Sequence, residues 1–184
     1  MADMKKKPID PKIVERQLPQ LIYLLRSHYL HYRVNAAEGL GNLGDARGVG
    51  PLIEALRDEY VDVRWIAAQA LGKIGDKSAA DPLLHLLESE EKWDRIGAIR
   101  GLEGIGEIRA ITALIRLLGD KDHKVRAAAA HALGVIGDES ALESLASAAG
   151  DPDDIVRKES NQAIEAIRKR KALSPDNQPA VNPS

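Results

Sequence analysis

Three glycines have the spacing of a phosphate-binding loop. Gly39, Gly41 and Gly44 match the G-x-G-x-x-G pattern that holds the pyrophosphate of a dinucleotide. That chemistry requires the glycines to follow a strand and open a helix, whose first N–H groups point at the phosphates. Here the glycines end a predicted helix, and glycine recurs at equivalent positions of later segments. The pattern therefore argues against a nucleotide site.

Two histidines could hold a metal ion together. His28 and His31 are three residues apart, which places both imidazoles on one face of a helix. No third ligand is apparent nearby, and Tyr29 and Tyr32 accompany the histidines, so packing and hydrogen bonding are the favoured interpretation. The chain contains no cysteine, which excludes disulfides, thiolate zinc sites and cysteine nucleophiles. We predict neither a metal nor another cofactor.

A column of arginines could bind phosphates. Arginine recurs every 31 residues, at Arg33, Arg64, Arg95, Arg126 and Arg157. The alternative is structural, because a ladder of bonds between arginines and recurring acidic residues would tie neighbouring segments together. The candidate acidic partners are Asp45, Asp76, Glu107 and Asp138, or Asp122 and Asp153. Since 28 acidic side chains outnumber 26 basic ones, we favour the ladder and do not expect nucleic acid as a partner.

The same period of 31 residues runs through the central part of the chain. Apolar residues at 63, 67, 70, 71 and 74 form one stripe of a helix, which Gly75 is suited to end. A shorter helix follows over about 78–87. Each unit is therefore predicted to contain a long and a short helix. Columns of alanine and glycine allow close helix packing, so a core without phenylalanine can still be dense.

Both ends of the chain differ from the repeat. The segment Leu21–Arg26 matches Leu52–Arg57, so half a unit comes first, and the last helix is charged, as in a terminal repeat. We predict a flexible N-terminus over residues 1–10 and a disordered tail over 173–184. Between them, residues 11–172 are predicted to form a single solenoid with a half-repeat cap, four full repeats and a C-terminal capping helix. No apolar stretch resembles a signal peptide or a membrane span, so we expect a cytoplasmic protein. We also expect a monomer.

The segment Asp122–Asp138 reads D-H-K-V-R-A-A-A-A-H-A-L-G-V-I-G-D. This motif resembles the HEAT-like repeats first described in phycobilin lyase subunits, and the resemblance covers about residues 18–170. It implies an all-α fold, a right-handed α-α superhelix with the long helices on its concave face and the short helices on its convex face. It also implies one possible function, that of a bilin-lyase-like subunit or a chaperone that acts on a chromophore-bearing protein.

Two enzymes with this type of repeat have residue patterns that the chain does not match. Deoxyhypusine hydroxylase holds iron with repeated His-Glu pairs, and the sequence contains no His-Glu dipeptide. A DNA glycosylase of this architecture uses tryptophan, aspartate and arginine on a basic concave face. Trp93, Asp94 and Arg95 supply these residue types, but neighbours in sequence diverge around a helix. We therefore predict no catalytic residues and no enzymatic activity.

The predicted binding site lies where the surface of the long helices varies between repeats. The variable positions share one helical face, opposite the apolar stripe, and two tryptophans and two isoleucines occur there although packing does not require them. The alternative is that the tryptophans cover gaps between repeats. We predict a non-enzymatic scaffold that binds a protein or peptide on the concave face. The predicted site residues are Trp65, Ile66, Gln69, Lys73, Trp93, Ile96, Gly97, Arg100 and His131.

The third long helix is unusual in its glycines. Gly97, Gly101 and Gly104 occupy positions where the fourth long helix has alanine or valine. Glycine inside a helix is destabilising relative to alanine, so its presence calls for a reason. The sequence predicts that Gly97 and Gly104 leave a depression on the concave face, walled by Trp65, Ile66 and His131.

Overall fold

A computed structural model describes residues 9–173 of the chain, and these residues contain α-helices but no strand. The predicted flexible and disordered ends lie mostly outside this range. The ten α-helices of the described range are α1 Pro11–Leu24, α2 Leu30–Leu43, α3 Val49–Ala55, α4 Val61–Ile74, α5 Ala80–Leu86, α6 Lys92–Ile105, α7 Ile111–Leu117, α8 His123–Ile136, α9 Leu142–Ala148 and α10 Asp154–Ala172. A short 3-10 turn precedes each of α3, α5, α7 and α9.

The helices stack in a regular order. Each long helix (α2, α4, α6, α8 and α10) packs directly on the next long helix, whereas successive short helices hardly touch one another. Because the long helices lie closer together, the stack curves with the long helices on its concave side. The predicted all-α superhelix of two-helix repeats is therefore confirmed.

Local sequence signals define the ends of the long helices. Asp122 and Asp153 accept hydrogen bonds from backbone N–H groups of the first turns of α8 and α10, as N-caps do. Gly75 ends α4 with a φ of +79°, in the left-handed region that favours glycine. Gly137 ends α8 differently, with an extended backbone, and Arg170 donates hydrogen bonds to the carbonyls of Gly134 and Gly137.

The predicted arginine ladder is present, and two of its arginines, Arg33 and Arg95, are buried. Each guanidinium donates to the backbone carbonyl six residues earlier, in the turn before its own helix. Arg95 donates in this way to the carbonyl of Ser89 at 2.7 Å, and it pairs with the carboxylate of Asp120 in the next turn at 2.9 Å. Arg33, Arg95 and Arg126 each tie two successive turns to one helix in this way, which fixes the spacing of neighbouring repeats.

The predicted acidic partners of the ladder were wrong. The arginines pair with a column in the turns before the long helices, of which Asp58, Asp120 and Asp151 are members. The predicted column accepts backbone N–H groups at the start of the 3-10 turns instead, because a carboxylate two residues before an N–H is placed to cap it. Its members are Asp45, Asp76, Glu107 and Asp138. The other predicted pair, Asp122 and Asp153, serves as the N-caps described above.

One rung of the ladder is built from a different residue. Ser89 occupies the position of Asp58, Asp120 and Asp151 in other turns, so Arg64 has no carboxylate there. Asp94 replaces it: Arg64 Nε lies 2.9 Å from Asp94 Oδ1, and the Ser89 hydroxyl donates to Asp94 Oδ2 at 2.8 Å. Asp94 is only 3% exposed and occupies a column in which Val63 and Val125 are buried. A carboxylate is tolerated among valines because it is paired and hydrogen-bonded.

The replacement of a turn aspartate by Asp94 can be tested with a rescue experiment. Asp94→Val alone should lower the free energy of unfolding by about 2 kcal/mol, because it leaves the largely buried Arg64 without a carboxylate. The double variant Ser89→Asp/Asp94→Val restores the pattern of the other repeats and should regain that stability. Urea denaturation of the full chain measures both values. An unchanged stability of Asp94→Val, or a double variant no more stable than the single one, would contradict the assignment.

Candidate functional site

A groove on the concave side crosses three long helices. It lies between α6, α8 and α10 and has a volume of about 230 Å³. Its lining is apolar in the centre and charged around the edge. The lining residues are Trp93, Ile96, Arg100, His123, Lys124, Ala127, Ala128, His131, Ile155 and Glu159.

Small residues set the distance between long helices. A Cβ atom added to Gly41 would lie 2.7 Å from the Cβ of Ala70, and one added to Gly134 would lie 3.0 Å from the Cα of Ala163. The equivalent position in α6 is Glu103, and α6 and α8 make the least extensive contact between neighbouring long helices. A glutamate cannot fit where two helix backbones nearly touch. The groove therefore opens at the junction where the small residue is missing.

The glycines of α6 lie on the face of that helix that packs against α4. A Cβ atom at Gly97 would lie 3.0 Å from Cδ1 of Trp65, and one at Gly104 would lie 2.6 Å from the carbonyl oxygen of Gly72. The predicted depression at these glycines was therefore wrong, because Trp65 and the backbone of α4 fill that space. The glycines instead bring α6 against α4, the pair with the most extensive contact, and away from α8.

Trp93 is the aromatic wall of the groove. The residue is 37% exposed, and its ring centroid lies 5.8 Å from that of Trp65. The ammonium groups of Lys92 and Lys124 lie 5.7 and 5.2 Å from the centre of the Trp93 ring, within the range of cation–π attraction. These contacts hold the indole beside the groove with part of its surface exposed.

The two lysines beside Trp93 differ in whether a carboxylate pairs with them. Lys92 donates to Asp122 at 2.9 Å, and this hydrogen bond lowers the pKa of the Asp122 carboxyl. Within residues 9–173, Lys124 has no carboxylate within ion-pair distance. The edge of the groove beside Trp93 therefore carries a free positive charge.

A polar network connects the three helices at the opposite edge. Arg100 pairs with Glu103 at 3.2 Å within α6. His131 of α8 lies between two carboxylates, with Nε2 3.5 Å from Glu103 and Nδ1 2.9 Å from Glu159 of α10. The network holds α6, α8 and α10 in register while leaving the groove between them open.

The structure brings together only some of the predicted site residues. Trp93, Ile96, Arg100 and His131 line the groove, while the other predicted residues lie on α4 or at its junction with α6. Trp65 is half-buried against Gly97, and its indole N–H is buried without a hydrogen-bond partner, which fits the alternative that it covers a gap. The residues away from the groove are Trp65, Ile66, Gln69, Lys73 and Gly97.

Several groove residues were missed. Lys124, Ile155 and Glu159 lie on variable columns of the repeat, so comparison between units could have found them. Glu103 stands between Gly72 and Gly134 in a column that begins with Gly41, and the sequence alone shows this change of residue type. Its consequence, a wider junction, required the distances between helices.

The other candidate chemistries have structural explanations. Gly41 packs against Ala70 near the end of α2, which is not the start of a phosphate-binding helix. The His31 ring lies 4.0 Å from that of Tyr32, so aromatic packing accounts for it. Among residues 9–173, no three histidine, aspartate or glutamate side chains form a metal-binding group. In the same range, no helix combines the length and apolarity that a membrane span requires.

Fold and groove together define a helical repeat protein with an open concave surface. The family model for HEAT repeats matches residues 18–97 and 80–165. The chain belongs to the HEAT-repeat family, of the repeat type found in phycobilin lyase subunits.

Solved structures show the same architecture. A chain from the complex of CpcE and CpcF of phycocyanin lyase from Nostoc sp. PCC7120 is 27% identical, with a TM-score of 0.73, and the match covers 92% of this chain and 69% of that one. An engineered protein is also 27% identical, with a TM-score of 0.67 and coverage of 86% and 82%. A designed armadillo repeat protein in complex with the peptide (KR)4 is 21% identical, with a TM-score of 0.67 and coverage of 85% and 84%, and indicates the fold alone. No curated protein matches the chain.

Proposed function

We propose that the chain is a non-enzymatic interaction protein that binds a segment of another protein in the concave groove between α6, α8 and α10. The observation that carries this proposal is the exposed face of Trp93 beside an apolar floor of Ile96, Ala127 and Ala128. A tryptophan next to a small apolar depression, surrounded by polar groups, is the usual composition of an interface hot spot.

The groove is prepared for binding before any partner arrives. Trp93 is held by Trp65 and by two ammonium groups, and Arg100 and His131 are held by Glu103 and Glu159. Side chains that are already ordered lose little conformational entropy when a partner binds. The partner would insert one large apolar side chain against the indole, and its polar groups would meet Lys124 and Arg100.

The test begins with selection of peptides that bind the full chain from a random peptide display library. Trp93→Ala should weaken the binding of the selected peptides by about 2 kcal/mol or more, which raises the dissociation constant roughly thirtyfold. Tyr23→Ala is the matched control, because it removes an exposed aromatic ring from α1, outside the groove.

Isothermal titration calorimetry measures both affinities, and circular dichroism verifies that each variant stays folded. A selection without binders, or a folded Trp93→Ala variant with the affinity of the wild type, would overturn the proposal. The latter result would direct attention to the convex helices.

A second candidate function is that of a bilin-lyase-like subunit or chaperone for a chromophore-bearing protein. It is favoured by the likeness to a chain of the phycocyanin lyase complex over 92% of this chain. In this function, a flat conjugated bilin would stack on Trp93 in the groove, and one of its carboxylates would pair with Lys124.

Visible absorbance distinguishes the two candidates. If the second function is correct, phycocyanobilin added to the purified chain should show a shifted absorption band, and Trp93→Ala should reduce the shift. A spectrum identical to that of the free bilin, together with peptide binding in the groove, supports the interaction protein and rejects the bilin function.

A further inference from the structure

Lys124 differs from the other cationic side chains that line the concave groove, because it has no acidic partner. Arg100 pairs with Glu103 at 3.2 Å, and His131 pairs with Glu159 at 2.9 Å. In the part of the chain that the structure describes, no carboxylate lies within ion-pair distance of the Lys124 ammonium group. The groove therefore offers a partner one cation whose charge is not compensated.

The acidic residues at the starts of α8 and α10 are already engaged. Asp122 accepts a hydrogen bond from the ammonium group of Lys92 and another from the backbone N–H of Lys124, each at 2.9 Å. Asp153 caps the first turn of α10 and lies 4.0 Å from Nε2 of His123. Neither carboxylate is thus available to the Lys124 side chain, so the counter-ion has to come from a partner.

The free charge lies next to the aromatic wall of the groove. Lys124 is exposed, and its Nζ lies 5.2 Å from the centre of the Trp93 ring. A partner that touches the indole and the ammonium group together must carry both contacting groups on one face. In an extended segment, residues two positions apart share a face at a distance of about 6.6 Å. In a helix, residues three or four positions apart do so at about 5–6 Å.

The size and shape of the groove fit a side chain of a polypeptide. Its volume of about 230 Å³ lies below the roughly 300–1,000 Å³ of pockets that enclose a small molecule. Its lining also crosses from α6 to α10, where Ile155 adds an apolar surface that is 56% exposed. A polypeptide segment can place successive side chains on successive helices, which a compact small molecule does not do.

We propose that the groove recognises a protein segment that carries a large apolar side chain and one carboxylate on the same face, with the carboxylate paired to Lys124. This inference rests on the proposed function, because it specifies which segment the groove binds. The apolar side chain contacts Trp93 and provides most of the affinity. The ion pair is exposed, so it contributes to specificity more than to affinity. Among the residues that line the groove, no second free cation awaits another carboxylate, so an acidic run is disfavoured.

The first test compares the peptides that two forms of the full chain select. A random peptide display library is passed over the wild type and, in parallel, over Lys124→Glu. Among wild-type binders, aspartate or glutamate should occur two, three or four positions from a large apolar residue more often than in the unselected library. Among Lys124→Glu binders this enrichment should be lost, because the new carboxylate repels an acidic partner. Wild-type binders without the enrichment, or an equal enrichment with Lys124→Glu, would overturn the proposal.

The second test measures one acidic wild-type binder by isothermal titration calorimetry. Lys124→Gln, or an amide in place of the acidic residue of the peptide, should each raise the dissociation constant about fivefold. Because both changes remove the same ion pair, combining them should raise it little further. Lys124→Arg keeps the charge and should keep most of the affinity. Lys77→Gln is the matched control, because it removes an exposed lysine of the 3-10 turn before α5, outside the groove.

The results separate this inference from the proposed function. Circular dichroism verifies that each variant is folded. If Trp93→Ala weakens binding but Lys124→Gln and the amide peptide do not, binding in the groove stands and the carboxylate preference is wrong. Losses that add when the two changes are combined, or an equal loss in Lys124→Arg and Lys124→Gln, also overturn the preference. A folded Trp93→Ala variant with wild-type affinity overturns the proposed function, and this inference with it.

Discussion

The distance between successive long helices is the constraint on which the other features of the structure depend. At three junctions, glycine or alanine on both helices lets the backbones approach until an added methyl group would collide with its neighbour. This close approach curves the stack, places the long helices on the concave side and buries a core made of leucine, alanine and valine. The arginine ladder holds the turns at the matching spacing from outside the core, by tying each turn to the next.

The third repeat departs from this pattern in a coherent way. Three glycines bring α6 against α4, and Glu103 keeps α6 apart from α8, so one junction is tighter than its neighbours and the next is wider. The same repeat exchanges the ladder aspartate of the turn for Asp94 in the helix, directly after Trp93. The helix that carries Trp93, Ile96 and Arg100 is thus anchored firmly on one side and open on the other. The open side of α6 is the side that the binding proposal uses.

The sequence predicts the repeat, its helices and their caps because these depend on local spacing and on residue types that recur five times. Comparison of the units also predicts Trp93, Ile96, Arg100 and His131 as site residues, and these four line the groove. The groove itself could not be predicted, because it depends on how closely pairs of helices approach. The spacing of Gly97 and Gly104 placed them on the concave face, but their distances to Trp65 and Gly72 show them at a helix junction. The partners of the arginines were misassigned for a similar reason, since Asp45 and Asp120 recur with the same period and only their positions in space distinguish them.

The central claim is that the size of one residue at each helix crossing sets the spacing of the solenoid and opens the groove at Glu103. A crystal structure of the full chain with Glu103→Gly tests it most directly. The account predicts that α6 and α8 approach to the spacing of α8 and α10, that the groove beside Trp93 closes, and that the spacing of α4 and α6 is unchanged. An α6–α8 spacing and a groove volume equal to those of the wild type would contradict it.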